Sequence, residues 1–121
     1  MVTGKIDSDP ISDVTEDGDA IVVLITAASR EEADRIARRL VEDRLAACVT
    51  IVTQVRSLFV WEQKLSQEDE VLLLVKSRRA RFVQLAAIVK RLHSYSVPEI
   101  IALPVVMGSA DYLRWVSESV P

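Results

Sequence analysis

Along residues 20–105 the apolar positions switch between solid runs and stripes of helical spacing. AIVVLIT (20–26) is a short β-branched run and predicts a buried strand. Ser29 and Glu32 then stand three apart, the spacing of a capping box. Ala33, Ile36, Ala37, Leu40 and Val41 follow as one stripe, which predicts a helix over roughly 30–44 with Arg35, Arg38, Arg39, Glu42 and Asp43 off it. AACVTIVTQVRSLFVW (46–61) has strand composition but is too long for one ordinary strand, so a bend or bulge is expected near Thr53-Gln54. EQKLSQED (62–69) is polar and reads as a hairpin tip, and EVLLLVKS (70–77) as the returning strand, central or covered on both faces. Phe82, Leu85, Ala86 and Val89 predict a second helix, about 79–92. VPEIIALPV (97–105) is a fourth strand, bracketed by Pro98 and Pro104 as strand starts and edges allow. Met107-Gly108 is expected to turn, and Ser109 to cap a short last helix over 110–118.

The order is β-α-β, β-α-β, then α, and the halves repeat at a spacing of about 50 residues: IVVLIT…ADRIARRL against VLLLVK…VQLAAIVK. Right-handed crossovers interleave two such halves into one four-stranded antiparallel sheet with both main helices on one face. The expected class is therefore α+β, a ferredoxin-like split βαβ sandwich with a long hairpin between its second and third strands and an extra C-terminal helix. That hairpin carries Ile51, Val52, Val55, Leu58, Phe59 and Val60, more apolar surface than two helices can cover. A long bare strand pair invites another chain, so a closed homo-oligomer is expected.

Composition narrows the picture. Half of the 121 residues are hydrophobic, which suits one packed domain over 20–121. Residues 1–19 set Lys5 against six acids, a net of −5 within a chain of −3, and read as a disordered acidic tail. The remaining body is nearly neutral, without the basic stripe of a nucleic-acid binder. No apolar run is long enough for a membrane span, and the N-terminus has no signal-peptide pattern. A single cysteine, Cys48, excludes an internal disulfide and agrees with a reducing cytoplasm.

Few residues offer chemistry. His93, the one histidine, ends the second helix, where a charged ring offsets the helix dipole; imidazole also suits copper and zinc. Cys48 is either a small buried hydrophobe or, as thiolate, a soft copper ligand. One Cys and one His per chain cannot complete a tetrahedral site, so a metal site would need neighbouring copies. The first βα loop, Thr26-Ala27-Ala28-Ser29, lacks the Cys-x-x-Cys of metallochaperones, and the central strands lack the aromatics on which RNA bases stack. Trp61, Glu62 and Lys64 stand where the hairpin tip begins, and an exposed tryptophan there points to a subunit contact. Nothing in the spacing assembles a catalytic triad, so no enzyme is expected.

LAACVT (45–50), WEQKL (61–65), EVLLLVK (70–76), LHSYSVPEIIALPV (92–105) and GSADYLRW (108–115) resemble, in order and spacing, the CutA family of divalent-cation tolerance proteins over about 20–118. The resemblance implies a homotrimer whose long hairpins pair across subunit boundaries, an association with tolerance to divalent cations, Cu2+ in particular, and no catalytic mechanism. It places the Trp61, Glu62 and Lys64 stretch near an intersubunit cleft, with Lys76, Tyr95 and Trp115 as neighbours. The chain departs from the family pattern at Thr53-Gln54, where Pro-Gly is often found, at Gln63, where glycine is usual, and at Ser94, where proline usually follows the histidine. The expected function is a trimeric copper-tolerance protein binding metal weakly between subunits through His93 and Cys48. The alternative is a PII-like trimer that binds a small effector in its clefts using Trp61, Lys64 and Lys76, although the chain has no glycine-rich phosphate loop.

Overall fold

The computed structural model describes residues 11–13 and 19–121. Its elements run β1 (Ile11–Asp13), β2 (Ala20–Ala27), α1 (Arg30–Glu42), β3 (Cys48–Trp61), β4 (Lys64–Arg78), α2 (Phe82–Leu92), β5 (Ile100–Pro104), β6 (Met107–Ser109) and α3 (Ala110–Ser119), with one 3-10 turn (Arg79–Arg81) before α2. The main sheet has the order β3-β4-β2-β5, every neighbour antiparallel. That is the interleaved order the two repeats require, and the α+β ferredoxin-like class holds.

Local chemistry sets the elements. Ser29 caps α1 by accepting from Glu32 N–H, and its extended backbone breaks the helix upstream. At the other end Arg44 adopts φ 59, with Arg44 N–H bonded to Val41 O and Leu45 N–H to Leu40 O, a Schellman closure built without glycine. In β3 the pairing with β4 slips between Val52 and Val55: Thr53 and Gln54 together oppose Val71. This is the bulge that strand length demanded.

Side chains alternate across the sheet. Ile21, Val23 and Ile25 of β2 and Leu73 and Val75 of β4 point to one face and are buried under Ile36 and Leu40 of α1 and Leu85 and Val89 of α2. The hydroxyl of Ser77, in the same layer, donates to Leu45 O at 2.6 Å, so this buried polar group has a partner. On the opposite face α3 packs against β4 and β2, with Val116 and Val120 buried outside the main core cluster. Arg78 secures that end, donating to Val120 O and to the Asp19 carboxylate. The rest of this face carries Val22, Leu24, Leu72, Leu74, Ile101 and Leu103 with no layer over it among the described residues.

Four expectations change. The hairpin tip is not 62–69 but Glu62 and Gln63 alone, and Lys64–Asp69 is strand. Met107-Gly108 is not a turn; it pairs with β1. The second and fourth strands begin two and three residues later than the apolar runs. Residues 1–19, expected as a disordered tail, lie largely outside the described residues; within them Ile11–Asp13 pairs with Met107–Ser109, and Asp19 accepts from Arg78 and from Arg79 N–H.

Glu62 and Gln63 both have positive φ, 51 and 67, the conformation of a two-residue turn that favours Asn-Gly. Neither residue is a glycine, so the tip stores strain of about 1–2 kcal/mol per residue. Gln63→Gly is expected to stabilise the protein by about 1 kcal/mol after allowing for glycine's looser unfolded chain. A shift of the denaturant midpoint to higher concentration, at unchanged slope, checks this.

Candidate functional site

A buried polar cluster joins the two helices to the root of the hairpin. Glu32, in the first turn of α1, accepts from Ala28 N–H at 3.0 Å through Oε1 and from Ser94 N–H at 2.9 Å through Oε2. Burial pushes its carboxyl up, but the Ala28 and Ser94 donors outweigh burial and hold it below the usual value. His93 follows the last residue of α2, and its side chain is 0% exposed. Its Nε2 lies 2.7 Å from Thr26 O, and Nδ1 lies 3.1 Å from Tyr95 N. A carbonyl only accepts and an amide only donates, so these two bonds assign the proton to Nε2 and the lone pair to Nδ1. The Tyr95 ring lies tilted by 47° against the His93 ring, centroids 4.8 Å apart, and its hydroxyl donates to Glu70 Oε2 at 2.8 Å. Burial, then the Glu70 hydrogen bond and charge, push the Tyr95 phenol well above its usual range, so it remains a donor. Tyr95 also lines a shallow groove of about 470 Å³ with Phe82, Ala86, Lys90, Val97 and Ile100, in which Lys90 is the one charged residue.

A second cluster lies on the face of the sheet that α3 partly covers. Lys76 donates to Thr50 Oγ1 and lies 3.9 Å from Cys48 Sγ. Tyr112 of α3 lies tilted against Trp115, centroids 5.6 Å apart, and burial, with Cys48 nearby, pushes its phenol up. The Cys48 and His93 sites are separate. Cys48 is in register with Lys76 and, across it, Val22, whereas His93 bonds Thr26, four residues further along β2 and about 13 Å away.

The remaining expected cleft residues do not meet within one chain. Trp61 pairs with Lys64 beside the Glu62 turn, and Lys64 lies twelve positions from Lys76 on the same strand, about 40 Å. Lys76, Tyr95 and Trp115 are half-buried at the body, while Trp61, Glu62 and Lys64 are exposed at the far end of the arm.

The donor set of one chain does not fit a divalent cation. Among the described residues no three His, Cys, Asp or Glu side chains are grouped to hold one. Both nitrogens of His93 and both oxygens of Glu32 are already bonded to backbone, and Cys48 has an ammonium for a neighbour, which repels a second positive charge. Sequence reasoning did not assign a site role to Glu32 or Glu70. The capping box marked Glu32 as a helix start only, and Glu70 passed as the polar end of an apolar strand.

Comparison with known proteins fits this architecture. Residues 21–119 match the family described as CutA1 divalent ion tolerance protein. The divalent-cation tolerance protein CutA of Thermus thermophilus is 49% identical over 81% of this chain and 95% of its own. That of Pectobacterium atrosepticum is 46% identical over 84% of this chain and 92% of its own. A solved structure of the Thermus thermophilus protein superposes with a TM-score of 0.83, covering 84% of this chain and 99% of that one. These relatives are named for cation tolerance and not for a reaction. With nearly the whole folded body matched at this identity, the chain belongs to the CutA1 divalent ion tolerance family.

Proposed function

We propose that this protein serves divalent-cation tolerance as a non-enzymatic homotrimer, binding copper or a similar cation weakly between copies. The observation that carries the reading is apolar surface that one chain leaves bare. Beyond the last β2 partner, Val71, seven residues of β4 pair with β3 alone and form an arm about 23 Å long. The arm exposes apolar side chains on both of its faces: Val60 (69%) opposite Leu65 (74%) on one, Phe59 and Trp61 on the other. An isolated two-stranded ribbon is marginal in water, and this one is greasy as well. Sister copies supply the cover, and they also bring the arm-end residues Trp61, Glu62 and Lys64 to another subunit's body. Cation ligands then come from more than one chain, which is what a donor set too sparse within one chain requires.

Light scattering at micromolar concentration is expected to return the mass of three chains. Calorimetric titration with Cu2+ is expected to show uptake that disappears under conditions where the assembly dissociates. A single-chain mass in dilute buffer would remove the intersubunit sites and the function built on them.

A further inference from the structure

The buried cluster has a direction. Glu32 Oε2 and His93 Nδ1 accept from the backbone of one short turn, Ser94 and Tyr95. That turn aims the Tyr95 phenol at Glu70. Glu70 pairs with Val55, the first register position of the arm beyond the Thr53-Gln54 bulge. A bulge bends a strand and increases its local twist, so it sets the direction in which the arm leaves the sheet. Glu70 is itself buried, and the Tyr95 hydroxyl donates to its Oε2 from a segment 25 positions away.

We infer that His93 is a positioning residue and not a cation ligand: it orients Tyr95, whose hydroxyl fixes Glu70 and thereby the angle at which the hairpin arm leaves the body. This deepens the assembly reading, on which it rests for its consequence, because the arm is the part that sister copies cover. The contact chain runs from the Thr26 carbonyl through the His93 ring to the Tyr95 amide, and from the Tyr95 phenol to the Glu70 carboxylate. A metal ion on Nδ1 would have to displace the Tyr95 amide, and one on Nε2 would have to displace the proton facing Thr26 O.

The test compares Tyr95→Phe, Glu70→Ala, Glu70→Gln and His93→Asn with the wild type. Amide hydrogen exchange of the folded protein is read peptide by peptide, and Cu2+ binding by calorimetry. Tyr95→Phe and Glu70→Ala are expected to speed exchange at least about tenfold over 52–60 and 65–70, while α1 and the 71–77 stretch of β4 keep their protection. Glu70→Gln retains an oxygen that accepts from Tyr95, and is expected to keep the arm protected. A purely structural role would loosen the body and the arm together and would show no rescue by glutamine. Copper binding is expected to be the same with His93→Asn as without it, or absent from both. A tenfold loss of copper affinity in His93→Asn with arm exchange unchanged would make His93 a ligand and overturn the inference. Unchanged arm exchange in Tyr95→Phe would overturn it as well. Since the exchange readout lies within one chain, it decides the point even if light scattering returns a monomer and the trimer reading fails.

Discussion

Ile101→Asp combined with Leu103→Asp is expected to reduce the mass in solution from three chains to one while leaving the sheet folded. Both side chains project from β5 onto the uncovered face and are about half exposed in the single chain, 50% and 49%. For a free subunit, aspartate at such positions costs within roughly 0.5 kcal/mol each, as surface changes usually do. For a subunit whose face is pressed against its sisters, each substitution traps a carboxylate in an apolar contact with no cation beside it, at a cost of several kcal/mol. A loss of about 4 kcal/mol at the interface raises the dissociation constant about a thousandfold. The measurement is sedimentation or light scattering alongside circular dichroism. A double variant that keeps the wild-type mass would show that this face is not where copies meet. A variant that loses its dichroism would place the two side chains in the subunit's own core, against their exposure.

The parts of this architecture visible from sequence were those whose causes are local. Ser29 and Glu32 are three residues apart and announce the start of α1 by themselves. The bulge at Thr53-Gln54 followed from strand length, since sixteen strand-like residues exceed an ordinary strand and rarely stay regular throughout. The bare hairpin was legible because its apolar residues outnumber what the helices can shield. The tip was misjudged for a physical reason: Lys64–Asp69 is polar because the arm lies outside the subunit core, and hydropathy does not distinguish an exposed strand from a loop.

The polar cluster was hidden for the opposite reason. His93 owes its role to Thr26, 67 positions away, and to backbone groups that any residue type would present. Glu70 meets Tyr95 across 25 positions. Residue type alone left His93 between helix cap and metal ligand. The folded chain does put it just past α2, but shields it from solvent, so a charge-compensating surface cap does not describe it. Ser94, standing where the family usually has proline, offers the N–H that Glu32 accepts; proline would have none. The departure from the family pattern thus adds a bond to the cluster.

That bond makes Glu32 the residue whose loss is expected to cost the subunit most among its polar groups. Glu32→Ala removes the acceptor of two backbone donors at once, Ala28 N–H and Ser94 N–H, in a place where the residue is 4% exposed. A hydrogen bond to a charged group contributes about 1.5–3 kcal/mol, and less where water can reach the donor, as it can on the exposed residues Ala28 and Ser94, so the substitution is expected to destabilise by roughly 2 kcal/mol. Glu32→Gln keeps one acceptor oxygen but turns an amide N–H₂ toward the other donor, and is expected to fall between. The pH dependence has a definite sign. The folded carboxyl is held below its ordinary value of 4.5, so the unfolded chain binds the proton first as pH falls. Its contribution is full above about pH 4.5 and fades as pH drops through the lower folded value. Urea midpoints at equal protein concentration, compared between wild type and Glu32→Gln at pH 7 and near pH 3.5, are therefore expected to converge toward acid. A gap that stays constant over that range would mean the carboxylate charge contributes nothing and that the two hydrogen bonds act through shape alone.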